Sequence, residues 1–142
     1  MRIFLDANII ISVLNKEYPL FTYSSRIMSL AGNKGFQVFT SPLCLAIAWY
    51  FAEKKSGAKI AKQKIELLLQ HLQISTVDEQ VVQQSVKNKK VKDFEDGLEY
   101  YSAIKHKCEY IITEDISDFY FADVEVMQSE YFLQHLSTLN KR

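Results

Sequence analysis

Short apolar runs separated by stretches of helical spacing constrain this chain more than any other feature of its sequence. The runs Ile3 to Leu5, Gln37 to Thr40, Gln73 to Val77, Tyr110 to Thr113 and Glu125 to Met127 have the length and composition of buried strands. Between them apolar residues recur at spacings of three and four: Leu20, Tyr23, Ile27 and Leu30, then Leu43, Ile47, Tyr50 and Phe51, then Ala61, Ile65, Leu68, Leu69 and Leu72. Each stretch is expected to lay one apolar stripe on a sheet. Asp78 stands where it would cap a helix entering Val81 and Val82. Another helix is expected from about Phe94 to His106, with Leu98, Tyr101 and Ile104 inward, and a last one over Ser129 to Leu139. Parallel strands need crossover connections, and helices fill them. The expected fold is therefore α/β, a three-layer α/β/α sandwich around a mainly parallel central sheet of about five strands.

A length of 142 residues suits one domain spanning 1–142, able to bury roughly 70% of the surface its unfolded form exposes. Four glycines, two prolines and no low-complexity tract leave nothing to mark a linker. Cys44 and Cys108 are far apart, flanked by apolar residues, and read as reduced core thiols rather than a zinc or disulfide framework. MRIFLDAN lacks the apolar core and cleavage site of a secretory signal. No uninterrupted apolar stretch approaches the ~20 residues that span a bilayer, so the expectation is a soluble, cytoplasmic protein with no membrane partner.

Seventeen basic and seventeen acidic residues cancel, which argues against a nucleic-acid binder acting through overall positive field. The charges are nevertheless segregated. Lys54, Lys55, Lys59, Lys62 and Lys64 form one group and Lys87, Lys89, Lys90 and Lys92 another, while acids concentrate between Asp93 and Glu130.

In parallel sheets, ligands gather beyond the carboxyl ends of the strands. The first strand exits into Asp6, Ala7 and Asn8, and the fourth into Thr113, Glu114, Asp115 and, one turn on, Asp118. Asp93 and Asp96 open the helix that leads into the fourth strand and share one helical face. If the first and fourth strands are neighbours, acidic groups from distant parts of the chain meet in one crevice. Clustered carboxylates repel, and a divalent cation resolves the repulsion. Mg²⁺ and Mn²⁺ take oxygen ligands and can activate water against a phosphodiester. Taken alone, the pair Asp93 and Asp96 also matches a capping box, and Asp118 before Phe119 could cap a short turn.

Other chemistries find no support. There is neither a G-x-x-x-x-G-K-[ST] loop nor a G-x-G-x-x-G, and no serine lies in a G-x-S-x-G elbow. His71, His106 and His135 are isolated, and Trp49, Tyr50 and Phe51 read as helix core rather than a stacking platform. Phosphotransfer sites on similar sheets want a D-x-D or an acidic pair after the first strand. Here Asn8 replaces the second acid of the one, and Asp6 has no acidic neighbour for the other.

FLDANIIISVL (4–14), TSPLCLAIAWY (40–50), KDFEDGLEYYSAI (92–104) and YIITEDISDF (110–119) together resemble the PIN domain, found in metal-dependent ribonucleases and in the toxins of VapBC-type toxin-antitoxin pairs. The resemblance implies Asp6, Asp96 and Asp115 as catalytic, Mg²⁺- or Mn²⁺-ligating carboxylates, with Asp93 and Asp118 as supporting acids and Asn8 and Thr113 orienting the carboxylates. It implies cleavage of single-stranded RNA by metal-activated water, a homodimer, and an antitoxin partner. One position departs from the pattern. The family usually places a glutamate in the helix after the second strand, and Ile47 stands there. Glu53 lies about 240° further round that helix and cannot substitute. The alternative implied is a weakened or inactive PIN-fold module that binds RNA or a protein partner, with Glu114 or Asp118 as candidates to compensate.

Overall fold

Side-chain alternation along the strands decides what each face of the sheet buries. Residues 1–140 are described by a computed structural model. Strands β1 (Arg2–Leu5), β2 (Gln37–Thr40), β3 (Gln73–Ile74), β4 (Tyr110–Ile112) and β5 (Glu125–Met127) form one sheet in the order β3-β2-β1-β4-β5. Every neighbouring pair is parallel. Ile3, Leu5, Val38 and Ile112 enter one apolar cluster, with Ile9, Ile27 and Phe132. Phe4, Phe39 and Ile111, one residue out of phase, enter a second with Tyr100, Ala103 and Phe119. Both faces are covered, as an all-parallel sheet requires, and the expected α/β/α architecture with five strands is the one observed.

The covering helices are α1 (Ala7–Asn15), α2 (Phe21–Ser29), α3 (Pro42–Ser56), α4 (Ala58–Leu69), α5 (Glu79–Lys87), α6 (Phe94–Lys105) and α7 (Ser129–Asn140). Asp78 caps α5 as expected, accepting from the Val81 N–H at 3.1 Å. Both cysteines are buried and free. No helix among the described residues is long and apolar enough to cross a membrane.

Two local expectations fail for physical reasons. β3 keeps only two residues of the stretch to Val77, because the hydroxyls and carbonyls beyond it turn to α6. The Ser75 and Ser102 hydroxyls bond at 2.5 Å, and Ser102 donates to the Thr76 carbonyl at 2.7 Å. Helix α1, not expected from the apolar spacing, is buried nearly all round, at Ala7, Ile9, Ile10, Ser12, Leu14 and Asn15. On α3 the inward stripe is Cys44, Ala48 and Ala52, each 0% exposed, whereas Tyr50 and Phe51 are 59% and 42% exposed. These two are therefore not helix core. α3 is packed against both α1 and α4, and small side chains let the backbones approach.

On α6 the buried face holds Leu98, Glu99, Tyr100, Ser102 and Ala103, and Tyr101 and Ile104 are only half-buried. The approach of α5 to α6 depends on Gly97. A β-carbon there would lie 2.8 Å from Val91 Cγ1 and 3.1 Å from Ser85 Cβ. Gly97→Ala gains about 1 kcal/mol of helix propensity against about 1–3 kcal/mol of overpacking. Urea unfolding is expected to show a net loss of stability, and an alanine variant as stable as the parent would contradict this packing.

Candidate metal centre

The sheet order reverses at β1, since β2 and β3 are added on one side and β4 and β5 on the other. β1 and β4 pair with Leu5 opposite Ile112, so their exits open side by side at the topological switch point, where ligands of such sheets bind. The Asp6 N–H continues the ladder to the Ile112 carbonyl at 3.0 Å.

Asp6 leaves the strand as the N-cap of α1, its Oδ1 accepting from the Ala7 N–H at 2.7 Å. Its Oδ2 accepts from the Thr113 hydroxyl at 2.8 Å. Asp6 is 8% exposed and Thr113 0%, so this bond is sheltered from water. Thr113 Oγ1 also accepts from the Asp115 N–H at 3.1 Å and from Asn8 Nδ2 at 3.1 Å. Asn8 further reaches Asp115 Oδ2 at 3.3 Å and accepts from the Glu114 N–H at 3.2 Å. Asn8 and Thr113 thus tie the carboxylates of Asp6 and Asp115 into one hydrogen-bonded unit.

Asp93 caps α6, accepting from the Asp96 N–H at 3.2 Å. Asp96 makes no side-chain bond back to it among the described residues, so half of the capping box forms and the Asp96 carboxylate is left free. Burial, then the charges of Asp93, Asp118, Asp6 and Glu95, raise Asp96 to about 7. Burial and the charges of Asp115, Asp6 and Asp93 likewise raise Asp118. These acids feel one another, and among the described residues no lysine or arginine forms a salt bridge with them. The salt bridge among the described residues, Lys105 with Asp78, lies elsewhere.

Two residues of the crevice were not picked out by sequence reasoning. Glu99, three residues after Asp96 on the same helical face, is 2% exposed. Burial first and then Asp6 raise it to about 10. Cys44, on the buried stripe of α3, directs its thiol toward Asp6 Oδ1 at 4.0 Å. Burial, with the charges of Glu99 and Asp6, raises that thiol well above its ordinary range. The i+3 spacing from Asp96 was the available signal for Glu99. Leu98 and Tyr101 obscure it, because their apolar spacing marks a different stripe as the inward face.

Glu114 turns away from the crevice. Its Oε1 accepts from the Ser129 N–H at 3.3 Å at the start of α7, so it does not compensate for Ile47. Glu53 accepts from Trp49 Nε1 at 3.2 Å on α3 and is likewise engaged elsewhere.

A carboxyl whose folded-state pKa is raised favours folding while protonated, and that contribution is lost as pH rises from about 4 through about 7. Asp96→Asn removes the penalty at high pH. In chelator, the melting temperature of the variant is expected to exceed that of the parent at about pH 8 and to approach it at about pH 4. A gap that narrows as pH rises would contradict the placement of Asp96 among like charges.

A model of the PIN domain matches residues 2–117. Ribonuclease VapC1 of Aquifex aeolicus (strain VF5) is 28% identical over 142 residues, covering 97% of each chain. Among solved structures, VapBC2 from Rickettsia felis, bound to a DNA fragment from its promoter, superposes with a TM-score of 0.68 at 19% identity, over 90% of this chain and 98% of that one. VapC20 of Mycobacterium tuberculosis, a sarcin-ricin-loop-cleaving toxin, gives 0.65 at 19% identity, over 87% and 98%. VapBC-1 from nontypeable Haemophilus influenzae gives 0.68 at 18% identity, over 92% and 99%. With the family model spanning both strand exits and the acids between them, the chain belongs to the PIN-domain family.

Proposed function

We propose that this protein is a metal-dependent endoribonuclease that cleaves phosphodiester bonds of single-stranded RNA in the cytoplasm, as the toxin of a toxin-antitoxin pair. The observation that supports the reading is Asp6 joined to Asp115 through Thr113 and Asn8 at the switch point, with Asp96 close enough to feel the charge of Asp6 and no salt bridge to any of the three among the described residues. The donor set suits Mg²⁺ or Mn²⁺, being carboxylate oxygens, and a cation among them would offset both the burial and the like charges that raise Asp96 and Asp118. Asp6, Asp96 and Asp115 would hold the ion. Bound there, the cation would supply the Lewis acidity that activates water and stabilises charge developing on the phosphodiester.

The chain's own residues prepare that chemistry. Thr113 and the Ala7 N–H fix both oxygens of Asp6, and Asn8 steadies Asp115. Asp93 starts the helix that presents Asp96, and Asp118 borders the crevice. Lys87, Lys89, Lys90 and Lys92 are exposed on the segment leading to Asp93, beside the acids, where they can meet an RNA backbone. The Tyr120 hydroxyl donates to the Lys90 carbonyl and anchors that segment.

A protein partner is supported by a different surface. Pro42, Leu45, Ala46, Trp49, Ile65 and Ile74 line an apolar groove of about 500 Å³ along α3 and α4, and Tyr50 and Phe51 are exposed on α3. Such a patch suits a second copy or an antitoxin, in keeping with the VapBC complexes among the structural neighbours.

Purified protein incubated with single-stranded RNA and Mn²⁺ is expected to cleave it, and chelator to stop it. Asp6→Asn and Asp96→Asn should each cut the rate by about 100-fold, the scale of losing one group that stabilises transition-state charge. Cleavage indifferent to chelator and to both substitutions would sink the nuclease reading and leave an RNA- or protein-binding module.

A further inference from the structure

Helix α3 brings no carboxylate to the crevice. Ile47 packs beside the cluster of Phe4, Phe39 and Tyr100, and Cys44, on the same helical face one turn earlier, offers a thiol. The place beside Asp6 is filled from α6 instead. One ligand atom each of Asp6, Cys44 and Glu99 lie within 4.8 Å of one another. Glu99 Oε2 is buried and has no hydrogen-bond partner among the described residues. A buried carboxylate oxygen ordinarily finds a donor, and this one, on a side chain beside Asp6, has none among the described residues.

We propose that Glu99 is a ligand of the divalent cation, reaching the crevice from α6 in place of the glutamate that α3 lacks at Ile47. This rests on the metal-dependent reading above and deepens it. Glu99 is 2% exposed and Asp6 beside it 8%, while Asp115, tied to Asp6 through Thr113 and Asn8, is exposed. Glu99 and Asp6 would hold the ion from the buried side, and the exposure of Asp115 would leave access for water and phosphate oxygens. Cys44 does not compete for a hard ion, because such ions prefer oxygen. Its S–H points to Asp6 Oδ1 and helps to orient that carboxylate. The competing role for Glu99 is a neutral, hydrogen-bonded packing group, and glutamine imitates that role in shape and donor capacity while removing the charge a ligand needs.

Calorimetric titration with Mn²⁺ of the parent, Glu99→Gln, Asp6→Asn and the double variant Glu99→Gln with Ile47→Glu separates these roles. Glu99→Gln is expected to weaken Mn²⁺ by at least about tenfold, and Ile47→Glu in that background to recover most of the loss. Glu99→Gln binding Mn²⁺ like the parent, while Asp6→Asn abolishes binding, overturns the assignment and leaves the metal-dependent reading standing. A double variant no tighter than Glu99→Gln alone overturns the exchange of positions. A parent that binds no Mn²⁺ removes the metal-dependent reading itself, and Glu99 with it. Should Glu99→Gln fail to fold, crystals of the parent grown with Mn²⁺ decide the matter. An anomalous peak within about 2.5 Å of a Glu99 oxygen supports the assignment, and a peak held by Asp6 and Asp96 with Glu99 turned aside overturns it.

Discussion

The pairing of β1 with β4 is the constraint on which the crevice depends. It sets Leu5 opposite Ile112, and the next residues, Asp6 and Thr113, then meet through a buried 2.8 Å hydrogen bond. A slip of one residue would reverse the face of every side chain on the strand and carry Thr113 away from Asp6. The apolar clusters on the two faces oppose such a slip, because Ile111 and Ile112 belong to different ones. Packing far from the chemistry thereby fixes the position of the carboxylates.

Against that rigid frame the acids are an electrostatic liability. Asp96 is raised to about 7 and Glu99 to about 10, and Asp6 is nearly buried. Local agreement between sequence and fold is kept elsewhere and broken here, as is usual where function is placed. The stability that tolerates this comes from the sheet and its covering helices. Cation binding would convert the same repulsion into affinity, since ligand charge that is unfavourable in the free protein is relieved in the bound one.

Much of the frame was legible in the sequence because period and length leave clear marks. β2 and β5 have the expected bounds, and acids at the exits of β1 and β4 could be named because strand ends are where α/β sheets bind ligands. Helix α1 was not legible, because Ile9 to Leu14 is a short, nearly continuous apolar run, which does not by itself separate a buried helix from a strand. The inward stripe of α3 was misread because alanine and cysteine at i, i+4 and i+8 carry a weaker apolar signal than Tyr50 and Phe51, yet they are what close packing selects. Glu99 was missed for a related reason. A charged residue amid Leu98, Tyr100 and Tyr101 reads as the polar side of a helix, and only the tertiary arrangement shows it buried against Asp6.

A crevice built around a cation should bind one with a gain in stability, which thermal unfolding at about pH 8 with and without excess Mn²⁺ measures. At this pH Asp96 is largely ionised, and a ligand of the folded state alone raises stability by mass action. Mn²⁺ is expected to raise the melting temperature of the parent protein clearly and that of Asp6→Asn little or not at all. An unchanged melting temperature in the parent, or an equal rise in Asp6→Asn, would contradict a crevice of this kind.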